Sequence, residues 1–242
     1  YTATATPDGN HAWSDGTTGA KSVSWTMSPK TLTVPASPAA KTYNGASQAS
    51  GISAPAGSSI VTASSTTSAT NVGTYNVVIQ LSSTKNYKWS DNTTTNKTIT
   101  WKINAYNLSN ATIASVSAQT YTGKAITPTP AVTVPIPSGK TTTLVSGTNY
   151  TYGYSANTNA GTATITVTGK GNYTGTKNIT FTISRAKTAT ASAANKTYTG
   201  SEQTGVTGSG VTWTGTTKAT DAGTYTATAT PDGNHAWSDG TT

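Results

Sequence analysis

The chain has 242 residues, a formal net charge of +8 and only 9% charged residues. Arg185 is its single arginine and the lysines are scattered, so the positive balance lacks the clustered basic face that nucleic-acid binding needs. With no cysteine there are no disulfides, thiolate zinc sites or thiol catalysis, and no run nears the roughly 18 apolar residues of a membrane helix.

Large aliphatic residues are scarce: 4 Leu, 11 Ile, 13 Val and 1 Phe. That share, about 12%, lies under the roughly 20% below which a disordered chain is a serious reading. Against disorder stand 12 Tyr and 6 Trp at recurring positions, set in runs of β-branched residues broken by Gly and Asn. Threonine suits a pleated surface because its Cβ is branched. The composition implies an ordered β protein whose thin cores lean on aromatic rings.

Residues 1–18, YTATATPDGNHAWSDGTT, recur unchanged at 225–242, an offset of 224 residues (225 minus 1). Identity over 18 positions implies recent duplication and a parent protein of near-identical superrepeats, of which this chain is one period plus an overlap. Residues 1–28 read as the C-terminal part of a module, closing on the alternating strand Val23-Ser24-Trp25-Thr26-Met27 with Trp25 in the core. The module at 29–105 opens on Tyr43-Asn44-Gly45 and continues through Asn71-Val72-Gly73-Thr74-Tyr75. In the strand from Tyr75 to Leu81, Tyr75, Val77, Ile79 and Leu81 share one face. The loop Asn86-Tyr87-Lys88-Trp89 leads to the closing strand Ile99-Thr100-Trp101-Lys102-Ile103.

The module at 106–186 repeats this order: Tyr121-Thr122-Gly123, Asn159-Ala160-Gly161, Asn172-Tyr173 and the closing strand Ile179-Thr180-Phe181-Thr182-Ile183. Between the last two segments, Ile165 and Val167 face inward and their threonine neighbours outward. The segment 187–242 carries Tyr198-Thr199-Gly200, Asp221-Ala222-Gly223 and Asn234-His235-Ala236-Trp237, and is a module of the same type as 1–28 that lacks its last strand. No stretch has useful helical periodicity. The expected fold is all-β, a tandem array of small immunoglobulin-like antiparallel β-sandwich modules.

Chemistry has few candidates. The acids are Asp8, Asp15, Asp91, Glu202, Asp221, Asp232 and Asp239, the histidines His11 and His235, and residues 106–186 contain neither type. No enzyme, catalytic residue, cofactor or metal is expected from so sparse a set. An internal Lys–Asn isopeptide crosslink needs a buried acid beside the pair, which leaves Asp91, Asp221 or Glu202 for the outer modules and nothing for the middle one. Asp221 and its counterparts Asn71 and Asn159 read equally as turn residues. The loop tryptophans Trp13, Trp89 and Trp237 are the candidates for ligand contact, as platforms for sugar rings or partner surfaces. Their competing role is as lids folded over a core short of aliphatic side chains.

The Tyr-x-Gly opening, the Gly-Thr-Tyr middle strand and the Asn-Tyr loop before a Thr-rich closing strand resemble the bacterial MBG-type (YGX-type) immunoglobulin-like repeats. The likeness covers nearly the whole chain, although the middle module has Ala163 where its siblings have Tyr and no Trp in its later loop. It implies an extracellular, cell-surface setting and a structural stalk or fibre role. The alternatives are an adhesin gripping glycans through its Trp loops and the subunit of a self-assembled filament. Expected partners are neighbouring modules of the same chain and lateral copies, with weak contact to anionic wall polymers or glycans, and neither nucleic acid nor a membrane span.

Overall fold

A computed structural model describes residues 1–136 and 141–242. The protein is all-β. Its only helical turns among the described residues are two short 3-10 segments, Thr62–Ser64 and Leu108–Asn110. The chain divides into two compact units. One comprises Tyr1–Lys41, Ser47–Ala69 and Gly73–Ile103; the other comprises Thr42–Ala46, Thr70–Val72 and Asn104–Thr242.

In the first unit the long strands Gly73–Leu81 and Lys97–Asn104 pair antiparallel, with Ile99 opposite Val77 and Trp101 opposite Tyr75. Ser58–Ile60 extends the same sheet from Gly73–Leu81. The period-two pattern holds: Val77, Ile79 and Leu81 are buried on one strand, and Ile99, Trp101 and Ile103 on the other. Trp101 and Tyr75 pack at 5.0 Å between ring centroids, and the Trp101 indole N–H donates to the Thr66 carbonyl at 2.7 Å. A ring of that size removes far more apolar surface from water than the valines and threonines around it.

Residues 1–25 form only a hairpin, Thr2–Ala5 against Lys21–Ser24, every residue of which is exposed. Trp25, expected in the core, is instead 49% exposed and stacks on Tyr1 at 4.8 Å. Its counterparts Trp101 and Phe181 are buried by elements that precede them in their own modules. The 24 residues before Trp25 supply one strand to pair with and no opposing sheet.

In the second unit a sheet runs in the order Gln119–Thr120, Thr176–Ser184, Gly161–Gly169, Tyr150–Ser155. The three long strands are antiparallel, but the first pairing is parallel, Gln119 with Ile183 and Thr120 with Ser184. A second sheet is built from Thr112–Ile113, Val132–Pro135 and Thr141–Thr143. The wholly antiparallel arrangement expected from alternation therefore fails at the short strands, because alternation fixes which face a residue occupies and says nothing of direction.

One core cluster of this unit joins Val132, Val134 and Leu144 to Tyr106, Tyr150, Val167 and Tyr173. The other joins Ala163, Ile165, Phe181 and Ile183, with Tyr152 and Tyr154 packed against it. Ala163 lies opposite Phe181. The middle module thus replaces the missing tyrosine by rings from the adjacent strand, whose hydroxyls donate to the carbonyls of Pro130 (Tyr152) and Pro128 (Tyr154). Burial drives the Tyr152 hydroxyl pKa far above that of a free tyrosine.

The segment 187–242 contributes three two-stranded pairs: Thr190–Ala193 with Val206–Ser209, Gln203–Thr204 with Lys218–Ala219, and Val211–Gly215 with Ala227–Pro231. Tyr198, the tyrosine of this segment's opening motif, is 64% exposed, and Tyr225 is also exposed.

These contrasts set a stability test by denaturant titration. Ile165→Ala removes a fully buried side chain and should cost about 2–5 kcal/mol. Val23→Ala, in the exposed hairpin, should stay within about 0.5 kcal/mol.

Candidate functional site

The geometry that recurs most faithfully centres on one asparagine per module: Asn86, Asn172 and Asn234. Each backbone carbonyl accepts an N–H from the junction that opens its repeat: Lys30 to Asn86 at 2.9 Å, Tyr106 to Asn172 at 3.0 Å and Ala186, the residue just before 187–242, to Asn234 at 3.0 Å. Parallel pairing follows in all three, Lys30 with Tyr87, Tyr106 with Tyr173 and Ala186 with His235. Each Asn thereby anchors the start of the module to its later loop.

The side chains of Asn172 and Asn234 turn the other way, onto the middle turn of the preceding repeat. Asn172 Oδ1 accepts the Val72 N–H at 2.8 Å while its Nδ2 donates to Asn71 Oδ1 at 3.0 Å. Asn234 Oδ1 accepts the Ala160 N–H at 2.8 Å, and its Nδ2 donates to Asn159 Oδ1 at 3.3 Å. A primary amide carries an acceptor oxygen beside a donor NH2 group, so a single side chain satisfies both groups of the turn.

The residues after Asn172 and Asn234 meet the motif tyrosine of the preceding repeat edge to face. Tyr173 lies 5.5 Å from Tyr43 at 74°, and His235 lies 5.3 Å from Tyr121 at 83°. This is the favoured geometry for rings with a negative face and a positive edge. Burial, with Tyr43 and Tyr106 nearby, pushes the Tyr173 hydroxyl up to about 12. On its own side His235 covers Gly210, where a Cβ would sit 2.6 Å from the imidazole and where φ is +66°. Gly57 makes the same room for the Tyr87 ring.

Asp232 sets the second of these clasps. Its Oδ1 accepts the Asn234 N–H at 2.8 Å and lies 2.6 Å from His235 Nδ1. The carboxyl pKa is held below its usual 3.8 chiefly by the His235 bond and next by the Asn234 N–H. In the first clasp the residues before Asn172 are Lys170 and Gly171, so no acid takes part.

The sequence candidates for ligand contact are placed by a second recurring device. Trp13, Trp89 and Trp237 each donate their backbone N–H across a short loop, to Thr17, Thr93 and Thr241 at 2.8, 2.9 and 2.9 Å. The acids within those loops, Asp15, Asp91 and Asp239, each accept the N–H and hydroxyl of the same threonine. Lys21 and Lys97 pair with Asp15 and Asp91. Their side-chain bonds, ahead of those from Thr17 and Thr93, lower both carboxyl pKa values to about 2.

The Trp89 ring is fully buried, with its indole N–H donating to the Thr95 carbonyl at 2.8 Å, so it presents no face to a sugar. Trp13 and Trp237 are half-buried, and Trp13 donates to the Gly19 carbonyl at 2.8 Å. Of the acids considered for a crosslink, Asp91 and Asp221 are exposed, and Glu202, also exposed, lies 3.5 Å from Lys218. None occupies the apolar site that such a reaction needs.

Sequence reasoning placed the asparagines in loops and the Asn71 and Asn159 positions in turns without joining the two sets. The available signal was the recurrence of an Asn-aromatic pair in every later loop. Comparison with protein-family models, curated proteins and solved structures returned no match.

Two outcomes test the clasp. Asn172→Ala should lower stability by about 1–3 kcal/mol, whereas Asn71→Asp should be tolerated because that side chain acts only as an acceptor toward Asn172. Secondly, a depressed carboxyl pKa contributes stability that is present above 3.8 and lost as pH falls through the lowered value. The Ala160 amide resonance should therefore move on acidification below about pH 4, while that of Val72 should not.

Proposed function

We propose that this chain is a spacer segment of an extracellular bacterial surface stalk, built of near-identical 224-residue superrepeats of immunoglobulin-like β-sandwich modules. The observation that carries the reading is the recurring Asn clasp. Two hydrogen bonds and an aromatic edge contact sit where one repeat follows another, and the connecting segments Asn104-Ala105-Tyr106 and Ser184-Arg185-Ala186 contain no Gly/Ser run.

A flexible linker lets adjacent domains swing as a random coil. A junction in which the opening strand is bonded to the same residue that grips the preceding turn restrains that motion. Stability in such arrays is approximately the sum of repeat terms and nearest-neighbour terms, and the clasp is a neighbour term repeated in kind. The burial of Trp89 and the use of the loop aspartates to fold their own threonines also favour spacing over ligand capture. The likeness to MBG-type repeats points to the same role, as does a cysteine-free chain whose fold needs no oxidising step.

Small-angle X-ray scattering of the chain, and of Asn172→Ala and Asn234→Ala together, tests the reading. The unaltered chain should scatter as a restrained particle, and the double variant should gain flexibility in the Kratky representation. A chain already behaving as freely jointed beads would remove the spacer role.

A further inference from the structure

The middle module, 106–186, lies whole within the second unit, and its opening and closing segments are tied at three levels. First, Tyr106–Asn107 runs parallel to Tyr173–Thr174, and the Tyr106 N–H donates to the Asn172 carbonyl at 3.0 Å. Next, the Lys177 ammonium donates to the carbonyls of Ser109, at 3.1 Å, and Ala111. Last, Gln119–Thr120 runs parallel to Ile183–Ser184, and the Tyr121 N–H donates to the Ser184 carbonyl at 2.9 Å. Both segments advance in the same sense from tie to tie. They form one seam.

The two backbone ties recur in the module at 29–105, without the lysine. Lys30–Leu32 runs parallel to Tyr87–Trp89, and the Ser90 N–H donates to the Leu32 carbonyl at 2.9 Å. The Tyr43 N–H donates to the Asn104 carbonyl at 2.8 Å, as Tyr121 does to Ser184.

Strand direction decides how such a seam meets a pull. Tension on the ends of a module draws the opening segment backward along its axis and the closing segment forward. Between parallel segments the bonds lie across that pull and share it, so they must yield together. A hairpin pulled from its open end loses the same kind of bonds one at a time. The covalent chain completes the path, because the run from Tyr173 continues as Thr176–Ser184 to the exit at Arg185. Residues between Thr122 and Gly171, with buried Ile165 among them, lie off it.

We infer that the repeat carries tension through this seam. Load entering at Tyr106 crosses to the Asn172–Ser184 run and leaves at Arg185 without passing through the sheet interior. The inference deepens the stalk reading, on which it rests for the source of the load, by naming the bonds that resist extension. Two quantities then come apart. Equilibrium stability counts the whole core, whereas forced unfolding follows the unfolding rate. A residue whose contacts stay formed while the seam parts changes that rate little. Ile165 is such a residue, and Lys177 is its opposite.

The chain has no native cysteine, so pulling handles attach at chosen points of the full chain. Held in an optical trap through Ala105→Cys and Arg185→Cys, the module should open in one step. That step frees roughly 260–290 Å of contour at about 3.3–3.6 Å per residue. Lys177→Met should raise the forced unfolding rate about tenfold or more, because it removes bonds from a charged donor. Ile165→Ala, despite its equilibrium cost, should change the rate by less than about threefold. Equal sensitivity to the two substitutions, or greater sensitivity to Ile165→Ala, overturns the seam. A second geometry alters only the handle sites. Ala105→Cys with Ser155→Cys loads the edge strand Tyr150–Ser155 from one end, so its bonds to Gly161–Gly169 break in turn. That pull should open the module at lower force, and the same force in both geometries contradicts the inference. Scattering reads the unloaded junctions and pulling reads one module. A restrained chain with a weak seam therefore keeps the spacer role and loses this inference alone, while a freely jointed chain with a strong seam loses the spacer role.

Discussion

An asparagine offers four hydrogen-bonding groups, two on the backbone and two on the side chain, and these repeats spend them on two different neighbours. The carbonyl of Asn172 takes the Tyr106 N–H and so fixes where its own module begins. The amide of the same residue takes the Val72 N–H and gives to Asn71. Moving Asn172 would disturb both at once, so the fold of one repeat and its attachment to the last are the same constraint. Asn234 repeats the arrangement with Ala186, Ala160 and Asn159.

This coupling matters because the hydrophobic driving force is thin. Aliphatic side chains are few, and the buried rings of Trp89, Trp101, Tyr150, Tyr173 and Phe181 supply much of what is removed from water. Where rings are missing, nearby rings are borrowed: Tyr152 and Tyr154 pack where Ala163 leaves space opposite Phe181. Where the covering elements are missing, as around Trp25, the ring is left exposed beside Tyr1. In such modules a few directed bonds at the loops carry weight that a larger aliphatic core would make unnecessary.

The strands were legible because alternation was clean: Val77, Ile79 and Leu81 face inward as their spacing requires, and so do Ile165 and Val167. The threefold order of Tyr-x-Gly, Asn/Asp-x-Gly and Asn-aromatic segments was also legible. What alternation could not supply was strand direction, and Gln119–Thr120 pairs parallel with Ile183–Ser184. Nor did it reveal which loops meet, since Val72 and Asn172 lie 100 residues apart in sequence. Of the three loop tryptophans, Trp89 takes the lid role that the sequence also offered. An Asn-x-x-Trp-Ser-Asp loop looks polar and exposed on paper, yet Asp91 turns its oxygens onto Thr93 and Lys97 while Trp89 folds under them.

The claim that the asparagine amide couples successive repeats is tested most directly by a double-mutant cycle on Asn71 and Asn172, with each residue changed to Ala singly and together and unfolding followed by urea. The account predicts a coupling energy of about 0.5–3 kcal/mol, as for residues sharing a hydrogen bond. Strict additivity, within about 0.3 kcal/mol, would mean that the two side chains do not act on each other and would contradict it.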